Sequence, residues 1–171
     1  MELGVGARVL VRPVRAEDEA RFLELAKSSA DFHRPWVSLP SSPEQFAAYL
    51  ARFDGVAAVG MVICLRGGGD LVGTVNINGI VRGCFQRGVL GYAAFLPYAG
   101  QGYLTEGVGL AVEYAFGVLG LHRVEADIQP GNAASIRLVR RLGFRMEGVS
   151  PEFIKIDGVW RDHERWARHV Y

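Results

Sequence analysis

Cysteine is scarce in this sequence, which contains two in 171 residues. Two cysteines are too few for a structural zinc site, and because Cys64 and Cys84 both lie in strand-like sequence, we expect buried free thiols. No apolar run approaches the roughly 18 residues that a membrane-spanning helix needs. The first residues, MELGVGARVLVRP, lack the basic segment and apolar block of a signal peptide. We therefore expect a cytoplasmic protein without a membrane partner.

The sequence has no large excess of either charge, because it contains 19 Lys and Arg and 18 Asp and Glu, which gives a formal net charge of +1. This balance gives no general electrostatic reason to bind nucleic acid. The signatures HExxH, GxSxG and GxxxxGK[ST] do not occur, and the histidines of the C-terminal half fit strands better than a ligand set. We expect neither a metal nor a direct nucleic-acid partner.

The composition and the apolar periodicity predict one globular domain over residues 1–171. Half of the residues are hydrophobic, and a chain of this length can bury about two thirds of its unfolded surface in a single core. Apolar spacing predicts the element order β-α-α-β-β-β-α-β-α-β-β, with a closing hairpin at Asp157-Gly158. The predicted fold class is α+β, with helices packed on one mostly antiparallel sheet.

The stretch YAGQGYLTEG, residues 98 to 107, places two glycines directly before an apolar helical pattern. Glycine permits backbone shapes that a Cβ would block, and the start of a helix leaves several backbone N–H groups without partners. The N–H groups near Gly100, Gly102 and Leu104 can therefore form a pyrophosphate-binding turn, aided by the helix dipole. The alternative is an ordinary strand-to-helix turn.

The stretch FHRPWVSLP, residues 32 to 40, separates two predicted helices. Its prolines disfavour a continuing helix, so we expect His33, Arg34 and Trp36 in a loop. An exposed tryptophan on a loop is typical of a contact site. The alternative is a Trp36 that folds under the loop as a local core anchor.

Five stretches together resemble the GNAT superfamily of acyl-CoA-dependent N-acyltransferases, and within it the ribosomal-protein N-terminal acetyltransferases RimJ and RimL. They span nearly the whole chain and read LVRPVRAEDEARF, HRPW, GQGYLTE, NAASIRLVRRLGF and DGVWRDHERWA. The resemblance implies the GNAT fold, with helices on both sides of the sheet and a splayed cleft that binds acyl-CoA. It also implies that the 32–40 loop lies over the acceptor groove, with His33, Arg34 and Trp36 as substrate-binding residues.

The same resemblance implies which residues bind acetyl-CoA, the expected co-substrate. The pyrophosphate would lie on the glycine turn, formed here by Gly100, Gln101, Gly102, Tyr103, Leu104 and Thr105. The pantetheine arm would pair with the end of the preceding strand, at Ala94, Phe95 and Leu96, and Asn132 would lie near it. The sequence departs from the wider family at Ala99 and Leu104 of the turn, for which we expect fewer side-chain contacts to phosphate.

The candidate catalytic residues are Ser135 and Glu125, which the resemblance implies, and Glu152, whose strand SPEFIKI could face the acceptor site from the other side. Ser135 matches a serine that protonates or hydrogen-bonds the CoA sulfur, although a serine at a helix start can also simply satisfy backbone groups, as Asn132 can by capping. A tyrosine that many family members carry four residues later is replaced by Val139. Glu125 and Glu152 are candidates for the general base or else structural or solvated carboxylates, and a water relay is a further route for the amine proton.

The function implied is transfer of an acetyl group from acetyl-CoA to a primary amine, with the N-terminal amine of a ribosomal protein as the first choice of acceptor. Two alternatives stay open at the level of the sequence. One is a small-molecule or antibiotic N-acyltransferase, and the other is a CoA-binding protein of the same fold without catalysis. A homodimer is compatible with the sequence.

Overall fold

The computed structural model describes residues 1–171, and a single eight-stranded sheet organises them. The spatial order is β1-β2-β3-β4-β5-β6-β8-β7. The strands are β1 Gly4–Val5, β2 Val9–Pro13, β3 Val59–Leu65, β4 Leu71–Val81, β5 Arg87–Ala94, β6 Arg123–Ile128, β7 Arg145–Ile156 and β8 Val159–His169. Only β5 and β6 pair in parallel, while every other neighbouring pair is antiparallel. The prediction of a mostly antiparallel sheet is confirmed.

Five helices cover the two faces of the sheet, which confirms the predicted arrangement with helices on both sides. They are α1 Glu19–Ser28, α2 Ala30–His33, α3 Pro43–Ala51, α4 Tyr103–Gly117 and α5 Ala133–Arg141. The larger core lies under α4 and α5 and includes buried residues of most strands. The smaller core lies under α1 and α3 and centres on an aromatic group of Phe22, Phe46 and Phe95. None of these helices is both long and apolar enough to cross a membrane.

Three local predictions need correction. The chain has two more elements than predicted, the short strand β1 and the single-turn helix α2. His33 is the last residue of α2 and is buried, so it does not belong to a loop. Cys84 is exposed in the turn between β4 and β5, whereas Cys64 is buried as predicted. A one-turn helix and a turn beside a strand are too short for apolar periodicity to reveal.

The sheet opens between β5 and β6. Their pairing ends at Leu90 and Ala126, although β5 continues to Ala94 and β6 to Ile128. On its other edge β5 stays paired with β4, and Phe95 N donates to Val72 O at 2.9 Å. Because backbone groups alternate in direction along a strand, the N–H and C=O of Ala94 point into the opening. Unpaired strand edges of this kind can bind another extended chain.

Candidate active site

A cavity of about 420 Å³ occupies the opening between β5 and β6. We call it the cleft. Its lining brings together many of the residues singled out in the sequence, namely His33, Trp36, Ala94, Gly100, Gly102, Leu104, Thr105, Asn132 and Ser135. It leaves out Arg34, Phe95, Leu96, Gln101, Tyr103, Glu125 and Glu152. Elements that are distant in the sequence therefore meet at one point of the sheet.

The glycine turn before α4 has the geometry of an anion site. Gly100 and Gly102 have φ angles of +74° and +82°, a region that favours glycine. No side chain caps α4, and the first backbone bond of the helix runs from Glu106 N to Gly102 O. The N–H groups of Tyr103, Leu104 and Thr105 consequently have no partner within the helix, and they add to the positive end of its dipole.

Arg8 holds this turn in place, a role that no sequence pattern indicated. Its Nη1 donates to Gln101 O at 2.9 Å, its Nε to Glu106 Oε2 at 3.1 Å, and its guanidinium lies 4.7 Å from the centre of the Tyr103 ring. Glu106 Oε1 also accepts from Arg8 N at 2.7 Å. These contacts connect the start of β2 to the first turn of α4. They therefore fix the orientation of the unpartnered N–H groups at the start of that helix.

Substitution Gly102→Val is expected to weaken CoA binding by at least tenfold. A branched side chain at a φ of +82° strains the turn by about 1–3 kcal/mol, and its Cβ would come within 3.0 Å of Arg8 Nη2. Titration calorimetry with CoA measures the effect. Gly158→Val is the matched control, because Gly158 has a φ of +81° and open space around it in the β7–β8 turn. Equal CoA affinity in wild type and Gly102→Val would contradict the assignment.

Ser135 lies at the start of α5 and meets a tyrosine of β5. Asn132 caps this helix, since its Oδ1 accepts from Ser135 N at 3.3 Å. The Ser135 Oγ is 2.5 Å from the Tyr92 hydroxyl, a short hydrogen bond inside the cleft. Burial raises the pKa of Tyr92 to about 12, so its hydroxyl stays protonated at neutral pH. Val139, at the position where many family members carry a tyrosine, is fully buried in the core. The tyrosine that lies beside Ser135 in this protein is Tyr92, which comes from β5.

The two candidate bases lie outside the cleft. Glu125 is 5% exposed, and its carboxylate is bound by the guanidinium groups of Arg87, Arg123 and Arg165 at 2.8, 2.7 and 3.4 Å. Glu152 is exposed on an irregular part of β7, with a φ of 45°. Neither placement supports a role as general base. Both assignments stay predictions from the sequence.

Asp127 is the one carboxylate that lines the cleft, and it is already ion-paired. It lies on β6, and Arg165 Nε donates to its Oδ1 at 2.7 Å. The Arg165 guanidinium therefore already occupies one oxygen of this carboxylate. The cleft therefore offers no free carboxylate to the amine of an acceptor.

The segment that follows α2 bridges the opening. His33 Nε2 donates to Ala94 O at 2.7 Å, and Gln129 Nε2 donates to Pro35 O at 2.9 Å. The half-buried Trp36 ring packs on Gly131, where an added Cβ would come within 3.2 Å of the ring. Burial lowers the pKa of His33, which favours the neutral imidazole. The bridge connects the end of β5 to the turn that precedes α5.

Three residues that the sequence analysis assigned to cofactor or substrate binding make other contacts in the structure. Leu96 N donates to Ser29 Oγ at 2.9 Å, and so is not free for a pantetheine amide. Arg34 is exposed and pairs with Asp31 at 3.3 Å. The Phe95 side chain is fully buried in the smaller core. Of the three residues predicted to meet pantetheine, Ala94 is the one whose N–H points into the opening, while its C=O is already bound by His33.

Comparison with known proteins identifies the family. The model of the acetyltransferase (GNAT) domain matches residues 8–145. The "Probable N-acetyltransferase YjcK" of Bacillus subtilis (strain 168) is 32% identical over 93% of this chain and 92% of its own. The [ribosomal protein uS5]-alanine N-acetyltransferase of Escherichia coli (strain K12) is 28% identical over 91% of this chain and 84% of its own.

A solved structure extends this likeness to the whole fold. The structure of Mycobacterium smegmatis RimJ in complex with CoA-disulfide superposes with a TM-score of 0.85 at 25% identity, over 98% of this chain and 83% of that one. The family match, the relatives and the geometry of the cleft agree. The chain belongs to the GNAT acetyltransferase family, and the protein is a GNAT N-acetyltransferase.

Proposed function

We propose that this protein transfers the acetyl group of acetyl-CoA to the N-terminal amine of a protein. The observation that carries the proposal is the cleft, in which uncapped N–H groups at the start of α4 and the Ser135–Tyr92 pair line one cavity. An anion site and a hydroxyl pair in the same opening match the pyrophosphate and the thioester of an acyl-CoA. The uS5-alanine acetyltransferase among the relatives supports the choice of acceptor.

The residues that would hold acetyl-CoA follow from the free backbone groups. The N–H groups of Tyr103, Leu104 and Thr105 would bind the pyrophosphate, because they lack helical partners and lie at the positive end of α4. The N–H of Ala94 would pair with a pantetheine amide along the open edge of β5. Acetyl-CoA supplies the activated acyl group.

Ser135 would stabilise the departing CoA sulfur. Its hydroxyl donates to the sulfur as negative charge develops there, while the Tyr92 hydroxyl donates to Ser135 Oγ and makes the serine a better donor. Tyr92 can do this because its raised pKa keeps the proton on its oxygen. Ser135 is the catalytic residue of this proposal, and Tyr92 is a positioning residue.

The acceptor amine would lose its proton to water. A terminal amine has a reference pKa of about 8, so a substantial neutral fraction exists at neutral pH. The only carboxylate lining the cleft, Asp127, is paired with Arg165. A strong protein base is therefore not required for this class of acceptor.

Trp36→Ala is expected to raise KM for the amine several-fold and to leave KM for acetyl-CoA within about twofold. The Trp36 ring lines the cleft on the bridge that follows α2, so its loss removes apolar contact area next to the acceptor. The two KM values and a melting curve distinguish a role of Trp36 in acceptor binding from a role as a structural anchor. An anchoring role would instead lower the melting temperature and affect both substrates alike.

A thiol-release assay tests the proposed function. The protein is incubated with acetyl-CoA and, in parallel, with short peptides that have free N-termini, with the same peptides blocked by formylation, and with small amines. We expect CoA release with the free peptides alone. Release with small amines only would favour a small-molecule acyltransferase. CoA binding without release would favour the non-catalytic alternative.

A further inference from the structure

A second cavity, of about 530 Å³, lies between α3 and strands β4 and β5. We call it the front cavity. It shares Val37, Gly91 and Tyr92 with the cleft. Because the Tyr92 hydroxyl bonds Ser135, the front cavity adjoins the point at which the acyl group would be transferred. An acceptor whose amine reaches Ser135 can therefore extend into this space.

A row of polar side chains on β4 lines the front cavity. Thr74, Asn76 and Asn78 alternate along the strand and share one face, with Thr74 and Asn76 only 1% and 8% exposed. A central strand of an eight-stranded sheet normally carries apolar side chains at such positions. Polar groups buried there are expected to have hydrogen-bond partners, either in the protein or in a ligand.

The amide oxygens of this row are used within the protein, while the amide N–H groups are not. Tyr49 OH donates to Asn76 Oδ1 at 3.2 Å, and Arg52 Nη2 donates to Asn78 Oδ1 at 3.3 Å. The Nδ2 groups of both asparagines have no protein acceptor, and Asn78 Nδ2 lies so close to Gly91 that an added Cβ would be 3.2 Å away. The row thus presents hydrogen-bond donors, which fit carbonyl or carboxylate oxygens.

The charge of the lining points to the same class of acceptor. Arg52 is the only charged residue of the front cavity, and it forms no salt bridge. In the adjoining cleft, Arg137 and Arg141 accompany Asp127, whose carboxylate is occupied by Arg165. An acceptor with several ammonium groups would therefore find no free carboxylate and would meet positive charge.

We propose that the front cavity binds the acceptor beyond its reacting amine, with Asn76, Asn78 and Arg52 donating to acceptor carbonyl oxygens, and so selects a peptide over a polyamine. This inference rests on the proposed acetyl transfer to a peptide amine. It assigns acceptor selectivity to three residues that neither the family likeness nor the sequence singled out. Because residue 91 is glycine, the Asn78 amide can lie against the β5 backbone, where an added Cβ would come within 3.2 Å of Asn78 Nδ2.

The test compares two acceptors in the wild type and in the double variant Arg52→Gln/Asn78→Asp. The acceptors are a short peptide amide that begins with alanine and has no charged side chain, and spermidine. The double variant replaces the Arg52 guanidinium with a shorter, uncharged amide, and it replaces the amide donor of Asn78 with a carboxylate. We expect KM for the peptide to rise at least tenfold, kcat/KM for spermidine to increase, and KM for acetyl-CoA to stay within about twofold.

The matched control is Lys27→Gln/Gln86→Glu, which makes the same charge changes outside both cavities. We expect it to behave like the wild type, and melting curves of all three proteins check the fold. Peptide turnover with the same KM in the wild type and the cavity variant would overturn this inference alone. Absence of CoA release from the wild type with either acceptor would overturn the proposed function together with this inference.

Discussion

Substitution Ser135→Ala is expected to lower kcat by about 10²–10³-fold and to leave the Kd for CoA within about twofold. A hydrogen bond to the departing sulfur matters mainly when charge develops on it, so its loss affects the transition state far more than the ground state. The structure places the Ser135 hydroxyl in the cleft, 2.5 Å from the Tyr92 hydroxyl. Steady-state kinetics and calorimetry of the same preparations separate the two effects.

Tyr92→Phe is the companion variant, because it removes the hydroxyl that holds Ser135 and keeps the buried ring. We expect a smaller loss of kcat, about tenfold, and almost no further loss when it is combined with Ser135→Ala. The two residues would then act as one unit, as a hydrogen-bonded pair should. An unchanged kcat in Ser135→Ala would contradict this assignment and show that Ser135 has only a structural role at the start of α5.

Substitution Glu125→Gln is expected to lower the free energy of unfolding by about 3 kcal/mol. The Glu125 carboxylate is 5% exposed and is surrounded by Arg87, Arg123 and Arg165. The glutamine would leave these guanidinium groups without their shared counter-charge in the sheet. Urea unfolding measures the difference, and kcat at a temperature where the variant is folded should stay within a few-fold of the wild type.

Glu147→Gln is the matched control, because Glu147 also pairs with Arg123 but has a side chain that is 45% exposed. A surface pair of this kind contributes about 1 kcal/mol or less. The comparison therefore isolates the effect of burial. A large and selective loss of kcat in Glu125→Gln, without a loss of stability, would contradict the structural role and favour the predicted general base.

The parts of the site that lie within one stretch of sequence could be predicted. The two glycines before α4 and the Asn132 cap of α5 are set by local backbone geometry, so the sequence alone indicates both helix starts. The resemblance to RimJ and RimL then supplied the splayed cleft and the helices on both sides of the sheet, which apolar periodicity cannot assemble. The positions of the glycine turn relative to Ala94 and Ser135 follow from that fold.

The parts that depend on contacts between distant segments could not be predicted. Tyr92 and Ser135 are 43 residues apart, and only the packing of α5 on β6, the parallel neighbour of β5, brings them together. Arg8 meets Gln101 across 93 residues, with no local signal in either stretch. Alternation along β6 shows that Glu125 and Ala126 face opposite ways, but not that three arginines from three strands surround the carboxylate.

Mass spectrometry of one peptide tests the central claim most directly. The peptide begins with alanine and carries one internal lysine, so it offers an α-amine and an ε-amine to the same enzyme. After incubation with acetyl-CoA, we predict a single acetyl group that fragmentation places on the N-terminal alanine. Acetylation of the lysine alone, or an unmodified peptide in a preparation that binds CoA, would contradict the claim.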